Sequence, residues 1–274
     1  MIKPLLLNSI LLISMLAFVC CSNKKEQQAS AATEKVSTVP DSLGLAPFYK
    51  KYINAEGLPV VSSDKVCDEA LERTRTVILQ MLSKRPDVKD YMVSKGCRVM
   101  IIGATEEVCD LPEYAKICTP ESTAYWNKRA RGFGGAPEDD YSASFGEENV
   151  MCMPGDRYEG ESIMVHEFAH IVHTVGIIGV NPDFDTELEA LMEKAKAKGL
   201  WENTYALSNK YEYFAEAVQS FFNCNRYSAE PNGVHNSINT AKKLKEYDPD
   251  IYNLLLQYFP ENIKLDICNK SLEK

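Results

Sequence analysis

Apolar side chains in the N-terminal half follow first a helical and then a strand-like pattern. Between residues 64 and 85 they recur on one helical face, at Val66, Ala70, Val77, Ile78, Met81 and Leu82. Pro86 follows the last of them, so we expect this helix to stop there. A shorter helical stretch precedes Gly96, and the apolar run 99–102 that comes next is typical of a buried strand.

The C-terminal half is dominated by helical periodicity. Between the two halves, residues 131–158 are rich in Gly, Pro and acidic side chains, and within them 150–153 is the predicted edge strand. An N-terminal half with few strands and a helical C-terminal half together predict an α+β fold with a small N-terminal sheet. The four predicted C-terminal helices cover residues 161–175, 184–198, 209–222 and 251–259.

The N-terminus has the pattern of an export signal. Lys3 precedes the apolar run 11–19, and Cys20 and Cys21 end it. The run is shorter than the roughly 20 residues of a membrane span, so we expect a cleaved leader. A cysteine at the end of such a leader resembles a bacterial lipoprotein site, with Cys21 or Cys20 as the lipidated residue. The alternative is a plain secretory leader cut near Ser22; both predict an exported protein of the cell envelope or the extracellular space.

Composition divides the chain after the predicted leader, residues 1–21, into two parts. Residues 22–45 have few large apolar side chains and predict a flexible tether. Residues 46–274 are long enough for one domain, and 45% hydrophobic with 25% charged residues is typical of a globular protein. A net charge of −9 without clustered Lys or Arg argues against a nucleic-acid partner.

The cysteines favour disulfides. Seven of the nine follow the predicted leader, and in an exported protein the odd number leaves at least one thiol without a partner in the same chain. No CxxC pair occurs among them, so the pattern of a structural zinc site is missing. The seven are Cys67, Cys97, Cys109, Cys118, Cys152, Cys224 and Cys268.

The first candidate for chemistry is His166-Glu167-Phe168-Ala169-His170, inside a predicted helix. Residues four apart share a helix face, so His166 and His170 can bind one ion from the same side. Glu167 can then point at a water bound to that ion. The spacing predicts a catalytic Zn²⁺ with Glu167 as the general base. The plain alternative is an exposed helix with incidental histidines.

A catalytic zinc needs a third protein ligand and one open position. In sites whose third ligand is a histidine close behind the motif, Gly stands three positions after the second histidine and His stands six positions after it. Here those two positions hold His173 and Gly176, in the opposite order. We therefore expect His173 to flank the cleft. His235 stands in a turn-rich stretch and suggests no role. Glu212 and Glu216, four apart on one apolar helix face, need partners if buried; a metal would partner one and a ligand imidazole the other.

Two segments resemble the lethal-factor-like family of zinc metalloproteases, which includes the catalytic domain of anthrax toxin lethal factor and the Pro-Pro endopeptidases. They are HEFAH at 166–170 and YALSNKYEYFAEA at 205–217. The N-terminal half shows no such match, so the family's pockets do not carry over. The resemblance implies a zincin-like metalloprotease domain of the gluzincin type with one catalytic Zn²⁺.

The resemblance also implies a role for each matching residue. His166, His170 and Glu212 would be the zinc ligands. Tyr205, seven positions before Glu212, would stabilise the transition state, and Glu216 would orient a ligand histidine.

The function expected from these observations is a secreted or surface-anchored zinc endopeptidase that acts on a protein or peptide substrate and reaches the membrane through its lipid. Two alternatives stand beside it: a non-catalytic binding lipoprotein stabilised by zinc, and a metal-dependent amidase with a non-protein substrate. The segment 129–141, which contains Arg131, Phe133 and glycines at 132, 134 and 135, either borders the cleft or only connects elements.

Overall fold

The structure, a computed structural model, describes residues 34–136 and 140–267. The predicted export signal, with Cys21 or Cys20 as its lipidation site, lies outside the described residues, and so does Cys268.

A mixed six-stranded sheet is formed by the N-terminal half of the described chain. Its order is β1-β2-β3-β4-β6-β5. β4 is parallel to both of its neighbours, and the other pairs are antiparallel. β5 is therefore an edge strand. The strands are β1 (Ser37–Thr38), β2 (Lys51–Ala55), β3 (Leu58–Ser62), β4 (Arg98–Ile102), β5 (Gly132–Ala136) and β6 (Asp140–Gly146).

Two features of this half differ from the sequence prediction. Ser37 and Thr38 pair with β2, so the folded part begins before residue 45, where the predicted tether ended. The edge strand predicted at 150–153 is wrong, because a short helix ends at Val150 and turns follow it. β5 and β6 lie instead within the segment predicted to be a loop. β5 is rich in glycine and shows no apolar alternation, and its hydrogen bonds to β6 hold it as a strand.

Four helices accompany the sheet: α1 (Asp68–Leu82), α2 (Pro86–Ser94), α3 (Thr123–Arg129) and α4 (Glu147–Val150). α1 was predicted from its apolar face. Pro86 follows α1 and is also the first residue of α2. Proline suits that first helical position because it has no N–H that would be left without a hydrogen-bond partner.

The C-terminal half is helical, as predicted. α5 (Ile163–Ile171) continues through a π-helical turn (Val172–Ile177) into α6 (Ile178–Val180). Residues 163–180 are long and apolar enough to cross a membrane, yet 72% of them are buried inside the domain, as in the core helix of a soluble fold. The remaining helices are α7 (Phe184–Ala197), α8 (Lys210–Phe221), α9 (Ala241–Tyr247) and α10 (Pro249–Tyr258); of these, α9 was not predicted.

The sheet buries both of its faces. On β4, Val99 and Ile101 belong to the main core with α1, α5 and α8, whereas Met100 and Ile102 point into a smaller cluster on the opposite face. This alternation explains why β4 is apolar at every position. α5 packs on β5 and β6, so the sheet edge lies directly against the helix that carries the candidate metal ligands.

A disulfide supports the smaller cluster. Cys109 and Cys118 are bonded, and both pack against this cluster, as do Trp126 and Phe133. The N–H of Cys109 also donates to the side chain of Asn127 on α3, 3.1 Å away. The bonded loop thereby holds α3 against the sheet.

Candidate active site

α5 presents the two histidines of the motif to one point. The Ser162 hydroxyl caps the helix by accepting from the Val165 N–H. One turn separates His166 from His170, and their rings meet edge to face with centroids 4.8 Å apart. Both rings are buried.

α8 brings the carboxylate of Glu212 to the same point. Asn209 caps α8 by accepting from the N–H groups of Tyr211 and Glu212. Oε2 of Glu212 lies 3.0 Å from Nε2 of His166 and 3.5 Å from Nε2 of His170. Candidate ligand atoms of the three residues all lie within 4.8 Å of one another. The three predicted metal ligands therefore do meet.

The polar contacts around His166 fit a cation between these atoms. Gln219 donates its amide N–H to the Ser162 carbonyl, which fixes its Oε1 toward Nδ1 of His166 at 2.8 Å. Nδ1 must then carry the proton and donate, so in the neutral ring Nε2 offers a lone pair to Glu212. Two acceptors 3.0 Å apart need a proton or a cation between them. Two imidazoles and a carboxylate suit a divalent transition metal, without selecting one metal.

The same contacts move the pKa values of the three residues. Burial disfavours a charged His166, yet the hydrogen bond to Glu212 and the carboxylates of Glu167 and Glu216 raise the pKa of His166 to about 10. For Glu212, burial is outweighed by the two imidazoles, which lower the pKa of its carboxyl. Burial lowers the pKa of His170, so its ring stays neutral and able to bind a metal.

Glu167 faces the cleft beside the candidate metal ligands. Burial raises its pKa to about 7, and the negative charge of Glu212 adds to this effect while His166 opposes it. The backbone at Glu167 is covered by β5, since a Cβ placed on Gly134 would collide with the Glu167 carbonyl oxygen. Only glycine fits so close an approach of strand and helix.

Tyr205 stands across the cleft in a 3-10 turn (Tyr205–Leu207) just before α8. Its N–H donates to the Val234 carbonyl at 2.9 Å. The phenol neighbours Glu212 and Arg129, and burial followed by the charge of Glu212 raises its pKa. Its hydroxyl is therefore protonated and can donate a hydrogen bond into the cleft.

Gln219 is the residue that the sequence interpretation missed. Glu216 was expected to orient a ligand histidine, but its Oε1 is 3.7 Å from Nδ1 of His166, against 2.8 Å for Gln219. Glu216 instead accepts from the Asn225 amide at 2.9 Å. Gln219 follows Glu212 by seven residues, so it lies on the same helix face, and that spacing was a signal that could have found it.

A cleft of about 590 Å³ opens over these residues. Arg129, Gly132, Phe133 and Gly134 line it, so the segment that either bordered the cleft or connected elements does border it. Arg131 does not: it is buried and makes a two-pronged ion pair with Glu148, at 2.6 and 2.7 Å.

The other two histidines lie away from the candidate ligands. His173 was expected to flank the cleft, yet it is fully buried among aromatic rings and bonded to Asp185 at 2.7 Å. His235 is also buried, with its Nε2 3.5 Å from the Glu161 carboxylate.

Comparisons with known proteins identify no relative. No family model matches the chain, and no curated protein or solved structure matches it either. The assignment of a function therefore depends on the chemistry of this cleft.

Proposed function

We propose that the protein is a zinc-dependent endopeptidase, exported and held at the cell surface by a lipid on Cys21 or Cys20. The observation that carries the proposal is the meeting of His166, His170 and Glu212 beside a cleft that Glu167 faces. Three protein ligands from two helices would leave one position of a four-coordinate zinc for a water, and an open position of that kind is typical of catalytic rather than structural zinc.

The architecture supports a zincin-like domain of the gluzincin type as part of this proposal. The helix with the two histidines packs against a sheet whose edge strand, β5, is antiparallel to its neighbour and lines the cleft. The carboxylate comes from a second helix, α8. The proposed partners are a protein or peptide substrate and the membrane, with no role for nucleic acid.

The metal supplies one part of the chemistry: zinc lowers the pKa of a bound water from about 15.7 to roughly 7 and polarises a carbonyl oxygen. Glu167 takes the proton of the attacking water, and its raised pKa suits that exchange near neutral pH. Glu167 then delivers the proton to the leaving amine. The Tyr205 hydroxyl donates a hydrogen bond to the oxygen that gains negative charge.

The decisive variant is Glu167→Gln, because the amide cannot accept the proton but is close in size. We expect it to bind zinc like the wild type and to lose peptide cleavage by roughly 100- to 10,000-fold or more. Zinc content and digestion of a peptide library measure the two properties. Cleavage at the wild-type rate would remove Glu167 from the mechanism.

The same measurements, together with digestion of cell-wall and other non-peptide amides, separate the alternatives. Zinc bound by the wild type without cleavage of any amide would favour the zinc-stabilised binding lipoprotein. Cleavage of cell-wall or other non-peptide amides alone would favour the amidase.

A further inference from the structure

Among the described residues that line the cleft, there is a single Lys or Arg, the positively charged Arg129. Five aromatic side chains and four glutamates among the described residues also line it, and Tyr125 on its rim is 59% exposed. Arg129 is the last residue of α3 and is exposed.

Arg129 differs from every other arginine of the chain in its partners. The seven others each have a guanidinium bound to a carboxylate or a backbone carbonyl of another residue. Within the described part of the chain, Arg129 forms no ion pair with a carboxylate and no hydrogen bond to a carbonyl; its guanidinium instead hydrogen-bonds the Tyr205 phenol. The others are Arg73, Arg75, Arg85, Arg98, Arg131, Arg157 and Arg226.

The nearby carboxylates are occupied by other groups. Glu161 faces Arg226 at 3.7 Å and His235 at 3.5 Å. Glu212 faces the two imidazoles of α5. Arg129 lines the cleft together with Glu167 and Tyr205, so it lies near the reacting end, and its exposed guanidinium has further N–H groups besides the one that contacts the Tyr205 phenol.

We propose that Arg129 binds a carboxylate of the substrate and thereby makes acidic peptides the preferred substrate class; this rests on the proposed function. A guanidinium binds a carboxylate through two parallel N–H donors, a geometry that an amide cannot match. The carboxylate is either an Asp or Glu side chain close to the scissile bond or the C-terminus of a short peptide. Both sources present the same group to Arg129.

Lys128 provides the matched control. It is the neighbouring cation on the last turn of α3 and is exposed, but it does not line the cleft. A general change in surface charge would therefore appear in Lys128→Ala and Arg129→Ala alike, whereas a contact with the substrate would appear only in the second.

The test uses the zinc-loaded protein and peptide libraries that differ at one position, fixed as Glu, Gln or Lys, with free or amidated C-termini. The ratio of kcat/KM between paired libraries reports the preference. We expect the wild type and Lys128→Ala to prefer the acid about tenfold, Arg129→Ala to lose the preference, and Arg129→Glu to reverse it toward Lys. Preference for Glu locates the carboxylate on a side chain, and preference for the free C-terminus locates it at the end.

Binding of the same libraries to zinc-loaded Glu167→Gln protein tests the inference separately from the proposed activity, because binding does not require cleavage. Acid-selective retention that Arg129→Ala abolishes supports the inference even if no peptide is cleaved. Equal acid-to-amide ratios in the wild type and Arg129→Ala, in cleavage and in retention, overturn it. An equal loss of kcat on both libraries would overturn it as well, because Arg129 would then act only through Tyr205.

Discussion

At the scale of single residues, the site depends on how His166 is held. Gln219 links Nδ1 of His166 to the carbonyl of Ser162, at 2.8 and 3.1 Å. This contact fixes which nitrogen carries the proton and so which one faces Glu212. A buried histidine without it could turn or change its tautomer, and metal binding would weaken.

We therefore expect Gln219→Leu to lower zinc affinity roughly 10- to 100-fold, because partners of ligand histidines have effects of that size. Competition with a chromogenic chelator measures the affinity. Gln219→Glu keeps an acceptor facing Nδ1 and should recover most of it. Ser220→Ala removes a buried hydroxyl that donates to the Ile238 carbonyl and should leave the affinity unchanged. An affinity for Gln219→Leu equal to the wild type would contradict this role.

At the scale of elements, a polar contact ties together the three helical segments around the site. His173 on the π-helical turn donates from Nε2 to Asp185 on α7, which also pairs with Lys210 on α8 at 3.0 Å. The Asp185 carboxylate thus joins the segment after His170 to the start of α8, where Glu212 lies. π-helical turns recur at functional sites, and here the turn carries the histidine of this contact.

This contact predicts a pH dependence of stability. The hydrogen bond from His173 lowers the pKa of Asp185 to about 2, below the roughly 3.9 of an unfolded chain. A lowered carboxyl pKa stabilises the fold at pH values above the unfolded pKa, and the stabilisation is lost as pH falls through the folded pKa. We expect the stability difference between wild type and Asp185→Asn to be constant above about pH 5 and to shrink between about pH 4 and pH 2.

Urea unfolding across that range measures the difference. Asp183→Asn is the matched control, because Asp183 is exposed, two residues away, and forms no ion pair among the described residues. If both variants followed the same pH curve, Asp185 would not carry the effect.

At the scale of the whole molecule, the proposed metal would join the two halves of the active site. His166 and His170 belong to the helix that packs on the sheet, whereas Glu212 begins a helix packed among the C-terminal elements. A ligand that binds only the folded state stabilises it in proportion to the logarithm of its concentration over Kd. Metal binding and global stability are therefore expected to change together.

Free zinc at about one hundred times its Kd should stabilise the protein by about 2.7 kcal/mol, and a chelator should remove that gain. Thermal unfolding with zinc, with magnesium and with chelator measures it. His170→Ala lacks one ligand and should lose most of the zinc-dependent rise in Tm. A wild-type Tm that zinc does not raise would contradict binding to the folded state.

The parts that the sequence predicted are those decided by neighbours along the chain. The helices α1, α5, α7, α8 and α10 were predicted because helical periodicity is local, and a spacing of four brought His166 and His170 to one face. The buried strand β4 was predicted because both of its faces are apolar. The presence of both helices and a sheet in one domain followed from these segments.

The parts that the sequence did not predict depend on contacts with distant segments. β5 has no apolar alternation, and its glycines form a strand because β6 pairs with them and α5 approaches too closely for a Cβ. Glu216 and Gln219 share a helix face, so only the packing of α8 on α5 decided that Gln219 holds His166. The sequence by itself determined which side chains could bind a metal. The tertiary structure decided that Glu212 joins them and that Arg129 faces the cleft, because distances across a fold are set by packing and not by spacing along the chain.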